Sequence, residues 1–121
     1  MNNVNVQEKV KKYQMDKRNA VTTTQLRLLL SNAVIIKNKI QVEERKEKKN
    51  VISEKLENEI KYLLVKHIYQ CGREPKVKIF DKEFHISEKI KEVGNSAKKF
   101  NDFYRYLEEI VAYMKYYESD K

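Results

Sequence analysis

Apolar residues recur along most of the chain with the three-to-four-residue spacing of helices that bury one stripe. Val6, Val10 and Tyr13 stand at i, i+4, i+7 and predict a short helix over residues 6–18 that frays at its start. Asn19 and Ala20 interrupt that pattern, and Thr22, Thr23 and Thr24 offer hydroxyls to cap the next helix. Leu26, Leu29, Leu30, Ala33, Ile36 and Ile40 form the first strong stripe. It ends where residues 43–50 become wholly charged or polar, so the helix is expected to run on as a solvated extension that frays, within a charged, flexible segment over 43–52.

Ser53 predicts the next start, with Glu54 and Glu57 suited to the positive end of the helix dipole. Leu56, Ile60, Leu63, Leu64, His67, Ile68 and Cys71 make one stripe, and Gly72 is expected to stop the helix. Tyr62, Val65 and Tyr69 mark a second apolar face on the same helix, as expected of an element that touches a second molecule or lies centrally in its own bundle. Pro75 suits the first turn of a helix burying Val77, Phe80 and Phe84. Ser87 is the expected cap of a short piece with Ile90 and Val93, closed by Gly94 and Asn95. Ser96 then caps the longest periodicity: Phe100, Phe103, Tyr104, Leu107, Ile110, Val111 and Met114. The expected fold is therefore all-α, a compact bundle of five to six helices in one domain over 1–121, with 1–21 as an N-terminal helix and linker.

Composition supports this reading. Two glycines and one proline in 121 residues disfavour a many-stranded fold, which needs such residues at its turns. No apolar run approaches membrane-spanning length, the N-terminus lacks a signal core, and one cysteine excludes an internal disulfide and fits a reducing cytoplasm. Lys and Arg total 26 against 18 acids, a net +8. The excess is +5 over residues 1–60 and +3 over 61–121, so the whole surface is basic, as suits a polyanion partner.

Catalytic and metal chemistry find little support in this pattern. His67 and Cys71 are i, i+4, as are Asp81 and His85, and four such groups can close a zinc site. His67 sits within a leucine stripe, however, and a core histidine beside a small buried thiol is the expected outcome; no metal and no cofactor are expected. A reactive Cys71–His67 pair would need an electropositive, open setting, whereas Leu63, Leu64 and Ile68 flank it. Glu108 and Glu109 are adjacent and splay to different helix faces, so they cannot work as an acid–base pair. Between 61 and 82, Lys61, Lys66, Arg73, Lys76, Lys78 and Lys82 outnumber Glu74 and Asp81, with Tyr62, Tyr69 and Phe80 interleaved. Cations for phosphates and rings for bases suit nucleic acid. Tyr106, Tyr113 and Tyr117 line the flank of the last helix, as core-edge residues or as a protein contact.

Three stretches together resemble a known family: TTTQLRLLLSNAV (22–34), YLLVKHIYQCGRE (62–74) and FNDFYRYLEEIVAYMKYY (100–117). They resemble the small α-helical subunit of the type III-A CRISPR (Csm) effector complex. That family has a threonine-rich cap leading into a Gln-hydrophobic-Arg helix, here Thr23, Gln25 and Arg27. It has a Tyr-Gln-small-Gly-Arg-Glu helix end, here Tyr69 to Glu74, and a Glu-x-hydrophobic-Val-Ala-Tyr stretch, here Glu108 to Tyr113. Many members carry Tyr-Gly-Gly at the end, where this chain reads Tyr117, Glu118, Ser119.

The resemblance implies a non-catalytic subunit present in several head-to-tail copies. These pack beside the repeated backbone subunit and the large subunit, and line the groove that holds CRISPR RNA paired with target RNA. The guide changes while the duplex shape is constant, so contacts to phosphate and sugar are expected. Arg27, Lys66, Arg73, Lys76 and Arg105 are the expected RNA contacts, and Tyr62, Tyr69, Tyr106 and Tyr113 the expected partner contacts. Two rivals remain: an oligomerisation subunit that does not touch RNA, and a small DNA-binding regulator with 22–40 as its recognition helix.

Overall fold

The computed structural model describes residues 3–16, 20–47 and 50–118. Among them lie α1 (Asn3–Met15), α2 (Arg27–Glu47), α3 (Glu54–Arg73), α4 (Pro75–Phe84), α5 (Ile86–Val93) and α6 (Ala97–Glu118), and no strand. No helix among these residues is long and apolar enough to cross a membrane. The helix α6 carries the expected stripe and acts as the spine: α1, α2 and α5 pack on it, while α3 packs on α2, α4 and α5. Phe100, Leu107, Ile110 and Met114 of α6 are fully buried, and Val111 is only half-buried against that core.

The helix starts follow from local chemistry. Thr22 and Gln25 form a reciprocal cap ahead of α2. The Gln25 N–H donates to Thr22 Oγ1 at 3.1 Å, and the Thr22 N–H donates to Gln25 Oε1 at 2.9 Å. Ser53 Oγ accepts the Leu56 N–H ahead of α3, and Ser96 Oγ accepts the Lys99 N–H ahead of α6. Ahead of α2, Val21 is pinned by Tyr13, whose hydroxyl accepts its buried N–H at 2.8 Å. Asn19, Lys48, Lys49 and Ser119, on which parts of the sequence reading fall, lie outside the described residues.

Three expectations change. Gly72 does not stop α3, which continues through Arg73. Glu74 ends it instead, extended at φ −121° and ψ 107°, because the ring of Pro75 excludes helical backbone at the preceding residue. Ser87 does not cap α5; His85 holds that position in the left-handed region (φ 58°), and Ser87 is already helical with its N–H and hydroxyl donating to Asp81. Ile68 is not core but about half exposed, on the outer side of α3. Part of the charged stretch lies among the described residues. Residues 43–47 remain helical, Glu43 accepts the Ser53 N–H at 3.0 Å, and the Asn50 carbonyl accepts the Ala97 N–H at 2.7 Å.

His85 makes the α4–α5 corner possible at a cost, since left-handed backbone penalises side chains that have a Cβ. His85→Gly is expected to leave stability near the parent value or raise it, whereas His85→Val lowers it by about 1–2 kcal/mol. Urea melts of the two variants check this.

Candidate nucleic-acid interface

The outer face of α3 is apolar and bare. Tyr62, Val65 and Tyr69 are 57–64% exposed, and Ile68 joins them. From α2, Leu28 and Ile35 extend this face, each 50% exposed. An open groove of about 380 Å³ runs between the two helices, lined by Asn32, Ile35, Asn58, Glu59, Tyr62 and Lys66. Its edge is tied by Lys39 Nζ to Glu59 Oε1 at 2.8 Å. The spacing of Tyr62, Val65 and Tyr69 anticipated this face. Leu28, Ile35 and Ile68 were missed, because a run such as LRLLL fits more than one helix phase.

Four of the five expected RNA contacts border this surface or the corner that follows it. Lys66 is half-buried, and its ammonium lies 4.7 Å from the centre of the Tyr62 ring. Arg27 opens α2 and Arg73 ends α3, both exposed. Lys76 is half-buried in the first turn of α4. None of the four carries an ion pair among the described residues.

Arg105 stands apart. It lies exposed in a cleft of about 520 Å³ between α5 and α6. Lys89, Lys99 and Arg105 meet Glu92, Asp102 and Glu109 there, so the cleft is charge-balanced. The Lys98 ammonium, bonded at 2.8 Å, holds the Asp102 carboxyl below the usual carboxylate range, with a smaller contribution from Arg105. Tyr106 is spent internally. Its hydroxyl donates to the Phe84 carbonyl at 2.9 Å, Lys89 lies over its ring, and burial pushes its pKa up to about 12. Tyr113 and Tyr117 are half-buried against the core, and Gln7 donates to the Tyr117 hydroxyl.

His67, Cys71 and Asp81 do converge. His67 is buried, with Nε2 at 2.8 Å from Asp81 Oδ1 and 3.6 Å from Cys71 Sγ. Burial, reinforced by Asp81, pushes the Cys71 thiol up to about 11, so it stays protonated and unreactive as a nucleophile. His85, the fourth group of the spacing argument, is exposed and pairs with Glu88 at 3.2 Å.

A basic chain whose described residues form six helices, with a bare apolar face beside cations that carry no ion pair, has the build of an assembly subunit. Comparison with known proteins identifies the assembly. The chain belongs to the Csm2 type III-A family, whose model matches residues 3–120, and is thus a small subunit of a type III-A CRISPR (Csm) complex. The CRISPR system Cms protein Csm2 of Mycobacterium tuberculosis (strain ATCC 25618 / H37Rv) is 34% identical over 96 residues, 79% of this chain and 74% of the relative. That of Enterococcus italicus is 34% identical over 101 residues, covering 82% and 69%. That of Streptococcus thermophilus is 36% identical over 97 residues, covering 80% and 73%.

Proposed function

We propose that this subunit is a non-catalytic RNA-binding protein of the cytoplasm. It lines the groove that holds CRISPR RNA paired with target RNA, grips the duplex by phosphate and sugar, and stacks in several copies. The observation that carries this reading is the set of unpaired cations, Arg27, Lys66, Arg73 and Lys76, beside the bare α2–α3 face. Such cations neutralise phosphates whatever the guide sequence, and A-form duplex is recognised by backbone shape. The apolar residues between them favour contact with neighbouring subunits, since Tyr is enriched at the centre of protein interfaces. RNA cleavage in the complex then belongs to another subunit.

Lys66→Ala and Arg73→Ala test the RNA contact. Each is expected to weaken binding of a guide–target RNA duplex, more than binding of a DNA duplex. Circular dichroism and melting temperature should stay nearly constant, because surface changes of this kind usually move stability by less than about 0.5 kcal/mol. Tyr69→Ala tests the other half. The isolated chain should fold normally, while its incorporation into the co-expressed complex falls. Unchanged RNA affinity in both cation variants would leave a purely structural subunit as the better reading. Unfolding of the Tyr69→Ala chain would mean that this face is internal core.

A further inference from the structure

The corner where α3 meets α4 and α5 gathers three donor groups that RNA contact does not use. His67 and Cys71 stand one turn apart on α3, and Asp81 reaches them from α4. Their donor atoms all lie within 4.8 Å of one another. We propose that His67, Cys71 and Asp81 bind one divalent transition-metal ion of zinc-like coordination chemistry, which locks α3, α4 and α5 together.

The geometry is near what such an ion requires. Tetrahedral bonds of about 2.3 Å to sulfur and about 2.0 Å to nitrogen and oxygen set S···N near 3.6 Å and N···O near 3.3 Å. The sulfur–nitrogen separation is already 3.6 Å. The nitrogen–oxygen separation is 2.8 Å and opens by about half an ångström when the proton between them gives way to the ion.

The surroundings fit as well. The Ser87 N–H and hydroxyl donate to Asp81 at 2.7 and 2.9 Å, so both carboxylate oxygens are oriented from behind, as metal-ligating carboxylates are. Charge closes too. The thiol proton leaves to solvent, the single imidazole proton moves from the Nε2 side that faces Asp81 to Nδ1, and a thiolate with a carboxylate neutralises the dication. Sequence spacing placed His67 and Cys71 on one face, but it could not show that Asp81 turns inward while His85 turns away.

The test uses the reduced, chelator-treated full chain titrated with Co²⁺, whose bond to a thiolate gives a near-ultraviolet absorption band. One equivalent should saturate the band, one equivalent of Zn²⁺ should bleach it, and the melting temperature should rise with either ion. Cys71→Ser, a conservative change at a half-buried site, should fold and lose the band. His67→Gln and Asp81→Asn should each weaken Co²⁺ binding by about tenfold or more. A folded parent chain that develops no band overturns the proposal. So does a band whose affinity is unchanged in both His67→Gln and Asp81→Asn, since that would be a thiol binding metal alone.

Discussion

Phe84→Ala is expected to lower the free energy of unfolding by about 3–5 kcal/mol, the usual range for deleting a buried aromatic ring. Phe84 is fully buried where α1 and α4 meet. Its ring lies 5.3 Å from Tyr13 edge to face and 5.1 Å from Phe80, and Lys9 covers it from α1. Removing it leaves a cavity that α1 cannot close, because Tyr13 is held in place by its bond to the Val21 N–H. A domain of this size is stable by roughly 5–15 kcal/mol, so this one change consumes a large share of the margin. Thermal and urea unfolding read it directly. Ile110→Ala, at a fully buried site on α6, belongs to the same class at about 2–5 kcal/mol. Leu64→Ala falls at the low end of that range, since Leu64 is only half-buried. A Phe84→Ala chain that melts like the parent would mean that this three-ring cluster contributes little to the stability of the core.

The same cluster marks how far periodicity alone can carry a reading. Phe80 and Phe84 were legible because an apolar face on a helix that starts with Pro75 has one sensible direction, inward. The stripe of α6 was legible for the same reason, and so were the caps at Ser53 and Ser96, where a hydroxyl precedes the stripe by the correct offset. Ser87 shows the limit. It has the sequence signature of a cap, yet Asp81 takes both its donors from across the α4–α5 corner, a partnership no local pattern reveals. Tyr106 shows it again. Its spacing marked a flank residue, but the Phe84 carbonyl lies within reach of its hydroxyl, so the ring serves the core edge. Ile68 fits the inner stripe by spacing alone, and only the positions of α2 and α4 turn it outward. The candidate interface was half legible. The second face of α3 followed from three residues, whereas the contribution of Leu28 and Ile35 depended on how α2 rotates against it. The separation of Arg105 from the other cations depended on which helix packs on which, information carried by tertiary contacts.

That separation sets the expected salt response. Four phosphate contacts, from Arg27, Lys66, Arg73 and Lys76, give a slope of log affinity against log salt near −3.6, at about −0.9 per neutralised phosphate. Raising salt from about 50 to about 200 mM is then expected to weaken binding of one subunit to an RNA duplex roughly 100-fold. Two guide–target duplexes of unrelated sequence should give the same slope and nearly the same affinity, because backbone contacts carry no base information. Fluorescence anisotropy over a salt series measures both. Removing one contributing cation should reduce the slope by about one: Lys66→Ala should do so, and Arg73→Ala likewise. Arg105→Ala should leave it unchanged, because the three carboxylates of Glu92, Asp102 and Glu109 already offset the three cations of its cleft, which therefore has no net pull on phosphate. A flat salt dependence, or a strong preference for one sequence, contradicts binding through the backbone. A slope that falls with Arg105→Ala but not with Lys66→Ala would move the RNA path from the α2–α3 face to the α5–α6 cleft.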